Sequence, residues 1–102
     1  MIRTLIQNKA IHQEEKNLKN NLKTIKLKFK VALHKVSATD IVESLNNVFL
    51  ELRTFERNNC TNIGYTNKIK SAVFVLYHKI DLVKVKFLPE INRIGSNNHY
   101  ID

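Results

Sequence analysis

Apolar residues recur along this chain at intervals of three and four, the period that lines one face of an α-helix. The strongest run is residues 65–80, YTNKIKSAVFVLYHKI, the longest apolar stretch without glycine or proline. Ile69, Ala72, Val73, Leu76, Tyr77 and Ile80 form one stripe on it, and Phe74 and Val75 fall outside that stripe. A helix apolar on more than one side is either wrapped by neighbours or presents a patch to a partner. Phe74 is therefore the first candidate contact residue.

Two further ladders precede it. Leu18, Leu22, Ile25, Phe29, Leu33 and Val36 predict a long amphipathic helix over residues 14–36, with Glu14 and Glu15 at its start and Lys35 near its end as the helix dipole favours. Ile41, Leu45, Val48, Phe49, Leu52 and Phe55 predict a second over residues 40–57. Asp40 with Glu43 three residues on reads as its N-cap, and Arg57, Asn58 and Asn59 read as its close. The third helix starts at Thr66 if Gly64 breaks it and nearer Asn62 if it does not.

The ends of the chain are patterned less clearly. Residues 1–12 carry Ile2, Leu5 and Ile6 without a cap and read as a frayed leader. Arg3, Gln7, Asn8 and Lys9 interrupt any signal-peptide core. Val83, Val85 and Phe87 alternate with Lys84 and Lys86 as a strand would, but a lone short strand has nothing to pair with, so residues 82–87 read as helical or irregular. Pro89 suits the first turn of a fourth helix over residues 83–95 bearing Leu88, Ile91 and Ile94, with Gly95 as its stop and residues 96–102 as a polar tail. The expected fold class is all-α, one domain over residues 1–102, an antiparallel up-and-down four-helix bundle.

Composition supports a globular helical protein: 43% hydrophobic, 25% charged, two glycines and one proline in 102 residues. A core of this size gives modest stability. The lone Cys60 forms no internal disulfide, which points to a reducing cytosol, and no run of 18 residues lacks charge, so no segment is expected to span a membrane.

Charge adds one feature to this picture. The formal net charge is +8, and Lys16, Lys19, Lys23, Lys26 and Lys30 fall beside the apolar stripe of the first helix. Such a basic stripe suits phosphate, lipid headgroups or an acidic protein surface, or is simply a solvated face. Catalytic chemistry is not legible. The four histidines stand far apart, with His34 and His78 expected near helix ends, and no metal-ligand spacing occurs. Cys60 has no adjacent base, the carboxylates fit helix starts, and two isolated glycines build no phosphate loop. Neither an enzyme nor a cofactor is expected. Residues 62–80 can be forced into a helix-turn-helix with Lys68 and Lys70 toward phosphate, but its second helix is too apolar and lacks arginine for base readout. A small basic nucleic-acid-binding or regulatory helical protein is the alternative function on these grounds.

Three segments carry a resemblance: IVESLNNVFLELR, then YTNKIKSAVFVLYHKI, then LPEINRIGSNNHY. In this order, over roughly residues 20–100, the chain resembles the immunity proteins that protect producers of pediocin-like (class IIa) bacteriocins, streptococcal members included. The resemblance implies a cytoplasmic, non-enzymatic antiparallel four-helix bundle. It implies binding to the mannose phosphotransferase permease once the bacteriocin has engaged it, with possible contact at the inner membrane face. Specificity in that family lies in the C-terminal half, which implies partner contact at Lys68, Lys70 and Phe74 and at Arg93, Asn97, Asn98, His99 and Tyr100. Pro89 falls where members of the family continue a helix, which implies a kinked or short fourth helix here.

Overall fold

The computed structural model describes the backbone of residues 2–101 and the side chains of residues 8–89. Three helices account for it: α1 (Ile2–Ala32), α2 (Ala38–Asn59) and α3 (Asn67–Ile101). Residues 2–32 contain neither glycine nor proline, so nothing in the sequence stops α1. Its last turn is closed by Leu33 and His34, whose amides donate to the Phe29 and Val31 carbonyls at 3.3 and 3.1 Å. Ser37 then caps α2: its backbone is extended, and its Oγ accepts from the Asp40 amide at 3.1 Å. Thr66 stands just ahead of α3, its carbonyl accepting the first bond of that helix from the Lys70 amide at 2.9 Å.

Short connections force α1 and α2 antiparallel, and α2 and α3 likewise, so α1 and α3 run parallel. Lys28 therefore meets Glu51 near one end, while Asn62 and Thr66 meet Glu14 and Glu15 near the other. The core lies along the axis enclosed by the three helices. Leu18, Leu22, Ile25, Phe29 and Ala32 come from α1; Ile41, Leu45, Val48, Leu52 and Phe55 from α2; and Ile69, Val73, Leu76 and Ile80 from α3. Every interior side chain is apolar, and no buried polar or charged residue occurs among the described residues. Helix α2 packs against both neighbours, while α1 and α3 meet less extensively. The whole is 73 Å long and 20 by 17 Å across.

Several expectations are corrected. There are three helices, not four, because the predicted third and fourth are one. A reversal between residues 80 and 90 would need several residues suited to a turn together, and residues 82–88, LVKVKFL, hold no glycine, proline, asparagine, aspartate or serine; Asp81 and Pro89 stand singly at either end of that run. Pro89 lies within α3 rather than opening a new helix, and Gly95 does not stop it. A single proline or glycine weakens a helix by roughly 3 or 1 kcal/mol but does not by itself make a turn. The residues expected as a leader are helical from Ile2, and those expected as a polar tail are helical to Ile101.

Smaller corrections concern helix ends. α1 closes at Ala32, so Ala32 is buried where Leu33 and Val36 were expected, and Val36 is fully exposed. Ser37 rather than Asp40 caps α2, and Asp40 sits in its first turn. His78 lies in mid-helix because α3 continues past Ile80. Glu14 and Glu15 are interior to α1, where they hold the opposite loop instead of starting a helix.

Candidate interaction surfaces

The loop between α2 and α3 is fastened to α1 and fixes where α3 begins. Asn62 accepts from the Gly64 amide at 2.7 Å through Oδ1 and donates to Glu14 Oε2 at 3.2 Å through Nδ2. Thr66 Oγ1 donates to Glu15 Oε2 at 2.7 Å. Gly64 is buried against α1 so closely that a Cβ there would lie 2.4 Å from the Glu14 carbonyl carbon and 2.5 Å from the Glu15 amide nitrogen. Glycine is required at this position by the approach of two backbones; its own φ is not positive. Nothing in local spacing announces this contact, since Glu14 and Gly64 are fifty residues apart.

One flank of α3 packs on α2 through aromatic residues. Phe49 and Tyr77 meet edge to face with centroids 5.4 Å apart, and Phe55 and Tyr65 lie at 6.4 Å. Arg53 and Lys84 both stand within 6 Å of the Phe49 ring, at 5.9 and 5.8 Å. Tyr77 donates a long hydrogen bond, 3.4 Å, to Glu56 Oε1. Burial, the Glu56 charge and that bond push the Tyr77 hydroxyl up to about 12, against a smaller opposing pull from Arg53. Burial, then Glu56 and Cys60, raise Tyr65 as well. The depression outside these rings measures ≈ 600 Å³ and is lined by Arg53, Arg57, Lys70 and Phe74 among others. Phe74 is 72% exposed there.

The other flank of α3 faces α1 across a groove of ≈ 700 Å³. Lys19, Lys23, Lys26 and Lys30 of the basic stripe line it from α1, and Lys79 lines it from α3. Lys16 is exposed but outside the groove lining. Leu27, Leu33 and Val75, between 39 and 55% exposed, form apolar ground between the lysines.

The residues expected to bind a partner are thus divided. Lys70 and Phe74 share the α2 flank of α3. Lys68 is exposed and shares a helical row with Ala72, Val75 and Lys79 on the α1 flank. At about 100° per residue, Lys68 and Lys70 are separated by roughly 200° around the helix. Arg93, Asn97, Asn98, His99 and Tyr100 lie on the C-terminal part of α3, and their side chains are outside the described residues. The separation of Lys68 from Lys70 follows from helical spacing; which neighbour each meets does not.

Among the described residues no three histidine, cysteine, aspartate or glutamate side chains gather to hold an ion. Cys60 is exposed, its thiol 3.6 Å from the Arg57 carbonyl oxygen. Among the described residues no helix is long and apolar enough to cross a membrane.

Fold and surface define a basic three-helix protein with two unlike flanks on α3. No protein family, curated protein or solved structure matches the chain.

Proposed function

We propose that this protein works by binding rather than by catalysis, as a cytoplasmic immunity protein of the pediocin-like bacteriocin type. In this reading it engages the bacteriocin-occupied mannose phosphotransferase permease from the inner side of the membrane and keeps the complex from opening a lethal pore. The observation that carries the reading is Phe74. A phenylalanine 72% exposed on α3, beside a depression lined by Lys70, Arg53 and Arg57 against the single carboxylate of Glu56, is an aromatic anchor with a net basic surround. Such anchors supply most of the energy at protein interfaces, and the net charge of +8 steers the protein toward an anionic inner leaflet.

The test is survival. The chain and its Phe74→Ala variant are expressed in the cytoplasm of a bacteriocin-sensitive listerial strain and challenged with a panel of pediocin-like peptides. The parent is expected to protect against one or a few peptides. Phe74→Ala is expected to lower survival by roughly tenfold or more at unchanged helicity, the effect of losing one anchor worth more than 1 kcal/mol. Full sensitivity to every peptide, with the protein folded, would remove the proposal; unfolding of Phe74→Ala would remove Phe74 from it.

A further inference from the structure

The groove between α1 and α3 has a chemistry of its own. Among the described residues five lysines line it and no carboxylate does. The ion pair found among the described residues, Lys28 to Glu51, lies on the other side of α1, toward α2. The lysines therefore crowd one another without neutralisation. Between them lie Leu27, Val75 and Leu33, large apolar side chains that a solvated basic face would not need. From Lys19 to Leu33 the lined stretch of α1 is about 21 Å, four helical turns, at 1.5 Å per residue.

We propose that this groove is the docking site for an acidic amphipathic helix of a partner protein. Two parallel helices with a valley between them accept a third rod, whose apolar ridge at positions i, i+3 or i+4, i+7 and i+11 rests on Leu27, Val75 and Leu33. Glutamates or aspartates on both sides of that ridge meet Lys19, Lys23, Lys26 and Lys30 on one rim and Lys79 on the other. Charge fixes the choice of occupant. A second copy of this chain carries the same net charge of +8, which opposes its approach to a lysine-lined groove. Duplex nucleic acid is wider than a valley between two helices and finds no arginine in the lining. A bilayer is met by a broad apolar face, whereas here three apolar residues, Leu27, Leu33 and Val75, stand among five lysines. This site lies on the flank of α3 opposite Phe74 and does not depend on the immunity reading.

The probe is a labelled synthetic helix of four to five turns with leucine at the ridge positions and glutamate on both flanks, titrated against the full-length protein by fluorescence anisotropy. Binding is expected to weaken with added salt. It should also weaken roughly tenfold or more in Lys23→Glu/Lys26→Glu and in Val75→Glu, one lost contact of about 1.4 kcal/mol being tenfold. A peptide with lysine flanks is expected to bind Lys23→Glu/Lys26→Glu in preference to the parent. Phe74→Ala is expected to bind like the parent, which separates this site from the proposed immunity surface. All substituted residues are exposed, and circular dichroism checks that each variant remains helical. Equal binding of the acidic helix to parent and groove variants would overturn the proposal. So would tighter binding of anionic vesicles or duplex DNA that the same substitutions abolish, or a dimer in sedimentation that they dissociate.

Discussion

The two flanks of α3 are built from opposite materials. Toward α2, Phe49, Tyr77, Phe55 and Tyr65 close the gap between helices, and Glu56 takes the Tyr77 hydrogen bond. Toward α1, lysines stand where those aromatics would, and a groove remains. The difference follows from where the acids are. Glu51 and Glu56 both lie on α2, so α2 can neutralise its neighbours' charges, whereas α1 offers α3 mainly lysine along Lys19 to Lys30. Like charges on facing rims disfavour close approach, and the same +8 that keeps this side open makes it selective for an acidic visitor.

The largest expected effect comes from the core that both flanks share. Leu52 is completely buried, and Leu52→Ala should lower unfolding free energy by about 2–5 kcal/mol, read from denaturant midpoints. Retention of the parent's stability would mean that α2 does not unite the two flanks. Gly64→Ala comes next: the added methyl must push the loop off Glu14 and Glu15, at a cost of about 1–3 kcal/mol. Thermal unfolding of this variant alongside Thr66→Val, which removes the hydroxyl that donates to Glu15, separates lost space from a lost hydrogen bond.

The flanks themselves should then differ. Phe49→Ala loses an aromatic pair of about 0.5–1.5 kcal/mol together with part of its burial. Leu27→Ala, on the open side, should stay within about 0.5 kcal/mol of the parent. Equal losses in the two variants would show that the groove is closed in solution.

A pH series sharpens the contrast further. The folded state raises the Tyr77 hydroxyl from 10.0 to about 12, so it favours the neutral phenol. The corresponding stability is present in full below pH 10 and is lost as pH rises toward 12. Lysines also lose their protons in this range, so the informative quantity is the difference between the parent and Tyr77→Phe. Tyr77→Phe should narrow the alkaline loss, and unchanged steepness would show that Tyr77 is neither buried on this flank nor held beside Glu56 in solution. A comparably small effect is expected for Lys28→Ala. Its pair with Glu51 at 2.7 Å is about half exposed on both sides and is worth about 0–1 kcal/mol, decreasing with salt.

Helical class and core were legible because period is a local property. Leu18, Leu22, Ile25 and Phe29, then Ile41, Leu45, Val48, Leu52 and Phe55, and Ile69, Val73, Leu76 and Ile80 occupy the interior that their spacing predicts, while Phe49 of the α2 ladder is only partly buried at its edge. Phe74 is outside the core, as its position off the stripe implied. The basic stripe was legible as a row, with four of its five lysines in one groove. The expected fourth helix rested on reading Pro89 as a helix start and residues 82–87 as a break, whereas α3 runs through both. Breaking a helix and reversing a chain are different requirements, and only the second makes a four-helix bundle.

By itself the sequence determined three strong amphipathic helices, their buried faces, a basic row on the first and an aromatic off the stripe of the last. Periodicity and charge are carried residue by residue, so neighbours a few positions apart suffice to read them. Only the tertiary structure decided that Gly64 lies against the backbone of Glu14, that Lys68 and Lys70 face different neighbours, and that lysines of α1 and α3 share a groove. Those are meetings between residues on different helices, set by how helices cross and which side chains leave room, and no local pattern encodes them.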